Sequence, residues 1–273
     1  MNRQKHELYF SALMGMFCLI LFCSSVTMAA TAEETIKKNI AFEPGGYLSL
    51  SNMNGTVDIY AWDKNEIEII AHKKVTTSGP EEPEELLKAL EVDIQEENGK
   101  VIIETHYPRG RSGGSFFNWL FKGNKHSMSV EYEIKVPRQI DLNIQTTNGD
   151  VNAEEIEGRV RIESTNGKIV VRSLDGVARC KTTNGSIKVD FNTLLNDEVL
   201  SFKTTNGSIK LYLPSDFSAE VDLKTTNGRI NSDFPLEGQS RSSKRKFRGL
   251  IKEGVNTLKC TTTNGNIDLI RNN

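Results

Sequence analysis

Aromatic residues are scarce in this chain of 273 residues, at 7%, and that scarcity limits the interior it can build. Without Phe, Tyr and Trp to span a broad core, a thin interior of branched aliphatic side chains is expected. An excess of one charge is also missing: the formal net charge of -2 gives no global attraction for nucleic acid. The four histidines, His6, His72, His106 and His126, are scattered without metal-ligand spacing. No Gly-x-Ser-x-Gly, phosphate loop or dinucleotide fingerprint occurs. A calcium roll is disfavoured because Asp150 alone follows an Asn-Gly pair. No catalytic, cofactor-binding or metal-binding residue is therefore assigned, and no cofactor is expected.

Cysteine is equally sparse, and two of the four, Cys18 and Cys23, lie in a head that reads as an export signal. Arg3 and Lys5 precede an apolar run from Leu8 to Phe22, and Val26 to Ala30 offers small residues for cleavage. An uncleaved anchor is the rival, since Leu8 to Val26 is almost long enough to span a bilayer. Phe22 before Cys23 argues against lipidation. Residues 1–30 are thus expected to direct the chain to the periplasm, the cell surface or the medium.

What the chain has in abundance is one phrase. Thr146-Thr147-Asn148-Gly149 recurs at Ser164–Gly167, Thr182–Gly185, Thr204–Gly207, Thr225–Gly228 and Thr262–Gly265, with a degenerate copy at Asn52–Gly55. The residues six and four before each Asn are apolar, and so is the third after it, as in Leu142, Ile144 and Val151. Alternation with period two on both sides means that one strand enters a corner and another leaves it, each with one buried face. Gly tolerates positive φ and Asn the left-handed region, which suits a sharp reversal.

Asn-Gly is also a hairpin signal, so an antiparallel meander shares this inward set. Two arguments favour stacking. Equivalent positions in successive hairpins lie about 9.5 Å apart and never touch, whereas in a parallel stack they sit about 4.8 Å apart and like residues can form ladders. A meander would also leave an apolar face bare. From Asn148 the steps between copies are 18, 18, 22, 21 and 37 residues, the last expected to be two coils with a masked corner. The fold class is accordingly all-β: a parallel β-helix-like solenoid of about 20-residue coils. A short helix and irregular insertions interrupt its N-terminal half. Cys180 and Cys260 then share an inward column three coils apart, about 14 Å, too far for a disulfide.

Residues 31–142 form the N-terminal part of the solenoid with three insertions, and 143–273 the repeat array. Glu81 to Leu90 reads as a short helix with acid at its N-terminus. Asn98-Gly99 lacks the Thr pair and predicts a true hairpin. Residues 108–127 combine glycine with Phe116, Phe117, Trp119 and Phe121. They read as a cap on the end of the solenoid, or as a loop making weak membrane contact through 116–121. A basic run holds Arg241, Lys244, Arg245, Lys246 and Arg248. It is a solvated loop or a site for an anionic polymer or headgroup. Lys181, Lys203 and Lys224 share one outward column and either extend that basic stripe or protect an edge.

Together, the exported head, the Pro44-Gly45-Gly46 turn, the early Asn54-Gly55 coil followed by Trp62, the Val136-Pro137 junction and the repeat array resemble the bacterial putative-adhesin family of β-strand-repeat proteins of unknown function. The resemblance spans about Phe42 to Ile270. It implies a parallel β-helix-like fold on an exported or envelope-associated protein and carries no site residues. The expected function is a non-enzymatic, adhesin-like or structural module whose partner is an envelope polymer, a glycan or a surface protein. The alternative is a polysaccharide-binding or polysaccharide-cleaving β-helix using Asp58, Asp150 or Glu163. Ice or crystal-surface binding by an outward Thr ladder is disfavoured by the lysines beside it.

Overall fold

The computed structural model describes residues 29–78, 82–108, 126–239 and 245–272. Residues 1–28, with the expected export signal, lie outside them. The N-terminal half contains β1 (Ala30–Ala41), β2 (Gly46–Ser51), β3 (Val57–Trp62), β4 (Glu66–Thr77), α1 (Pro83–Ala89), β5 (Glu91–Glu97), β6 (Lys100–His106) and β7 (His126–Pro137). The repeats supply β8 (Ile140–Gln145), β9 (Val151–Glu154), β10 (Glu157–Glu163), β11 (Ile169–Lys181), β12 (Ile187–Leu194), β13 (Val199–Lys203) and β14 (Ile209–Leu213). The chain ends with β15 (Ala219–Lys224), β16 (Ile230–Ser232), β17 (Glu237–Gln239), β18 (Lys246–Ile251), β19 (Asn256–Thr261) and β20 (Ile267–Arg271). Among the described residues the protein is all-β with one short helix, and its repeats pair in parallel as a solenoid-like, curled sheet.

The strands that enter the Asn-Gly corners form one wall, in the spatial order β6, β2, β8, β10, the end of β11, β13, β19, β15. The strands that leave them form the second wall, β7, β3, β9, the start of β11, β12, β14, β20, β16. Ile169, Ile187 and Ile209 are consecutive partners in one column, as the repeat pattern requires. The inward columns are closed to solvent: Leu48, Leu50, Ile144, Ile162, Leu200 and Leu258 are at 0% exposure. The core is aliphatic, with Phe191 and Phe202 packed edge to face in its middle.

Corner geometry departs from the expectation in one respect. Of the seven corner glycines only Gly55 has positive φ, +120°. Glycine is required for a different reason. A Cβ on Gly149, Gly167, Gly185, Gly207, Gly228 or Gly265 would lie 1.9–2.0 Å from the carbonyl oxygen of the corner glycine stacked on it. Asn is required because its side chain is a rung. Asn148 Nδ2 donates to Asn54 Oδ1 at 2.6 Å, and Asn166, Asn184, Asn206, Asn264 and Asn227 continue the ladder at 2.6–2.8 Å. The first Thr of four phrases is buried and donates its hydroxyl to a neighbouring corner glycine carbonyl, as Thr204 does to Gly185 at 2.8 Å. Ladder and backbone together therefore hold each corner to the next.

Spatial order is not chain order at either end, which corrects the reading of the 37-residue step. Asn264 bridges both Asn206 and Asn227, so the last coil is inserted between the fourth and fifth of the array. The cause is local: β18 runs antiparallel along the outer side of β15, and β17 runs antiparallel along β18. The outer edge of β15 is thus occupied, and only its inner edge is open to β19. At the other end β6 and β7 stack beneath β2 and β3, which come earlier in the chain. Cys180 and Cys260 are consequently two levels apart, not three, with Phe202 between them. The separation of about 9.6 Å still excludes a bond, and both are free and buried.

Of the other insertions the hairpin and the short helix are seen, and residues 109–125, with the aromatic segment, lie outside the described residues. The hairpin β5–β6 turns at Asn98 and Gly99, both at positive φ (46° and 75°), the geometry of a type I′ turn. Leu87 and Leu90 of the helix segment are buried. The edges are short or charged: β16 and β17 have three residues each, and β1 carries Glu33, Glu34, Lys37 and Lys38, which discourages pairing between molecules. Beside β1, Glu68 of β4 is held by Lys37 of β1 at 2.6 Å and Lys135 of β7 at 2.9 Å.

Gly185→Ala, meeting backbone on the next level, is expected to cost about 3 kcal/mol or more. Asn184→Ala, which removes two exposed rungs, should cost about 1 kcal/mol; urea unfolding of the two variants ranks the constraints. The lysines beside Glu68 hold its carboxyl at about 2 against an ordinary 4.5. The folded value is the lower one, so its contribution is complete above about pH 4.5 and lost as pH falls towards 2. Glu68→Gln should flatten that part of the pH–stability profile.

Candidate functional site

A strand with one buried face shows every second side chain to solvent, and parallel stacking puts those side chains in columns. On the first wall, the column five residues before the corner Asn runs Asn143, Arg161, Arg179, Ser201, Lys259 and Asp222. The column three before it runs Gln145, Glu163, Lys181, Lys203, Thr261 and Lys224, and Lys246 of β18 lies opposite Lys224. The basic stripe expected from Lys181, Lys203 and Lys224 is therefore a spatial feature, interrupted once by Thr261.

Of the residues expected to meet a partner, Lys246 and Arg248 lie on β18 and extend this face. Arg248 faces Asp222 and pairs with it at 2.8 Å. Arg245 is exposed beside them, and its carbonyl accepts from Thr225 N at 2.8 Å. Arg241 and Lys244, like Phe116, Phe117, Trp119 and Phe121, lie outside the described residues. The strands flanking that aromatic segment, β6 and β7, occupy the end level of the stack, where the Asn ladder ends with Asn54 Nδ2 donating to Met128 O at 3.2 Å, and the Tyr107 hydroxyl donates to Asn52 Oδ1 at 3.0 Å and accepts from Asn54 N at 3.1 Å.

The column five before each Asn mixes residue types and carries no repeat that would mark it in the sequence as a surface. It lines a groove of about 520 Å³ at the β2 end of the wall, formed by Tyr47, Asn143, Gln145, Arg159, Arg161 and Arg179 with Asp141. Arg159 pairs with Glu198 at 2.8 Å, Arg161 with Glu163, and Arg179 with Glu198 at 4.0 Å. Glu198, chiefly through its hydrogen bond, and then Asp141 raise the pKa of Arg159.

The carboxylates considered for catalysis are divided between the walls: Asp58 and Asp150 lie on adjacent levels of the second, where Val57 N donates to Asp150 O at 3.0 Å, and Glu163 lies on the first. Asp58 accepts from Asn152 Nδ2 at 2.6 Å, Asp150 from Lys168 N at 2.8 Å, and Glu163 lies among Arg161 and Lys181. Among the described residues no group of three or more His, Cys, Asp or Glu could hold a metal. No helix among them is long and apolar enough to cross a membrane. Burial pushes the Cys180 thiol up to about 12 and raises that of Cys260 as well. A thiol reagent at pH 8 is expected to leave both unmodified in the folded protein. Denaturant should expose both, and a thiol that reacted in the folded state would contradict the packing.

Solved structures with partial likeness to this chain include a "putative cell adhesion protein" from Clostridium sporogenes at 14% identity. That alignment covers 88% of this chain and 100% of the other, with a TM-score of 0.44. A "putative adhesin" from Bacteroides fragilis shows 9% identity, 87% and 97% coverage and a TM-score of 0.45. No curated protein matches the sequence. The family model described as Toastrack DUF4097 matches residues 49–270, from the first corner strand to the last, and the chain belongs to that family.

Proposed function

We propose that the protein is an exported, non-enzymatic module built as a parallel β-helix-like solenoid of about 20-residue coils, acting as an adhesin-like or structural interaction element of the bacterial surface or envelope. The observation that carries this reading is how the repeat uses its polar groups. The corner Asn residues and the first Thr of several phrases are spent on holding level to level. The variable chemistry is displayed on two outward faces. Each wall of eight parallel strands is about 34 Å long, seven steps of about 4.8 Å. Such a face meets an extended partner over many levels, whereas catalysis by paired carboxylates requires two of them within about 5–9.5 Å across a bond. The apolar head of the chain supplies the route out of the cytoplasm.

Fractionation tests the reading directly. In a bacterium expressing the full chain, the protein is expected outside the cytoplasm with a new N-terminus near Ala30, and to attach to cell surfaces or isolated envelopes. Incubation with polygalacturonate should release no reducing ends. Retention in the cytoplasm, or turnover that disappears in Glu163→Gln, would overturn it.

A further inference from the structure

We infer that the outward face of the first wall binds a linear acidic polysaccharide laid across the strands, from the Tyr47–Arg179 groove to the lysines of β13, β19 and β15. The inference rests on the surface-module reading and adds the chemistry of the partner.

Like charges placed directly opposite on neighbouring strands repel, and this face places cations so three times, Arg161 opposite Arg179, Lys181 opposite Lys203 and Lys224 opposite Lys246, against once on the second wall, Lys188 opposite Lys210, where Asp268 flanks Lys210. Among the described residues, Lys203, Lys224, Lys246 and Lys259 have no ion-pair partner. Edge protection does not account for them all, because β13 and β19 are interior strands, each hydrogen-bonded on both sides. Lys259 lies on the strand between those of Lys203 and Lys224 and faces Asp222, which Arg248 already engages, so the cations of this cluster outnumber its carboxylates. The missing charge is therefore expected from a ligand.

The groove next to this cluster selects among polyanions. It offers a tyrosine ring, the amides of Asn143 and Gln145, three arginines, and the carboxylate of Asp141 beside them. Glu163 and Glu198 engage the arginines, while each guanidinium retains further N–H donors. Acids among bases repel a ligand that is only anionic. They accept hydrogen bonds from one that also carries hydroxyls, and an acidic sugar polymer presents both. A phosphodiester chain has few donors to offer them.

Binding is measured on the protein recovered from cells expressing the full chain, with polygalacturonate, neutral dextran, duplex DNA and phosphatidylglycerol vesicles as probes. Polygalacturonate is expected to bind and to weaken with added salt, and dextran not to bind. The triple variant Lys203→Gln, Lys224→Gln, Lys259→Gln should weaken it at least tenfold, and Tyr47→Ala several-fold. Lys168→Gln, Lys188→Gln, Lys210→Gln, on the second wall and its corner, should change it less than twofold. Equal losses from the two triples, or DNA or vesicles bound as tightly as polygalacturonate, would overturn the inference. Attachment to envelopes without affinity for polygalacturonate would defeat this proposal alone, whereas no attachment to any surface would defeat the module reading as well.

Discussion

The corners leave no room between levels. Six of the seven corner glycines lie with the α-carbon against the carbonyl oxygen of the glycine on the neighbouring level, so that a Cβ there would meet it. That contact sets the spacing at which the Asn amides form rungs and at which the first-position Thr hydroxyls reach a glycine carbonyl. Strand pairing alone would tolerate a larger residue at the corner by bending away; the ladder does not, since an amide bond at 2.6–2.8 Å is lost when the levels separate. Glycine and asparagine are thus one constraint expressed in two residue types. The repeat is conserved within the chain because each copy must fit its neighbours.

This constraint explains what could be read from the sequence. The inward columns, the parallel register through Ile169, Ile187 and Ile209, the Asn98-Gly99 hairpin and the helix before it all follow from period-two patterning and turn chemistry. The interleaving at the ends could not be read, because near-identical phrases make near-identical contacts. Asn264 can bond to Asn206 or to Asn227 equally well, and in the fold it meets both. The order was decided by β18, a strand outside the repeat pattern that occupies one edge of β15. Lys246 and Arg248 therefore do two things: they begin the strand that redirects the chain, and they extend the basic face beyond Lys224.

The face was only half legible for a related reason. The lysine column stood out because its residues are alike. The neighbouring column of Asn143, Arg161, Arg179, Ser201, Lys259 and Asp222 mixes residue types and shows no repeat, although it has the same spacing from each Asn. Interior positions must agree with the levels above and below them, so they repeat. Outward positions are free of that demand and vary, which makes them poor signals of fold and the place where function is recorded.

A solenoid whose levels are fixed by their corners can change its surface without changing its stability much. Replacing an outward side chain alters no rung and no inward contact. The cost is confined to cross-strand terms of roughly 0.2–1 kcal/mol. The like-charge pairs at Lys181/Lys203 and Lys224/Lys246 are therefore affordable in a stack this continuous. In a two- or three-stranded sheet, repulsion of the same size would be a large fraction of the folding free energy; here it is spread along a wall of eight parallel strands tied by six Asn–Asn bonds. The rigidity of the corners is what permits like charges to stand opposite one another on this face.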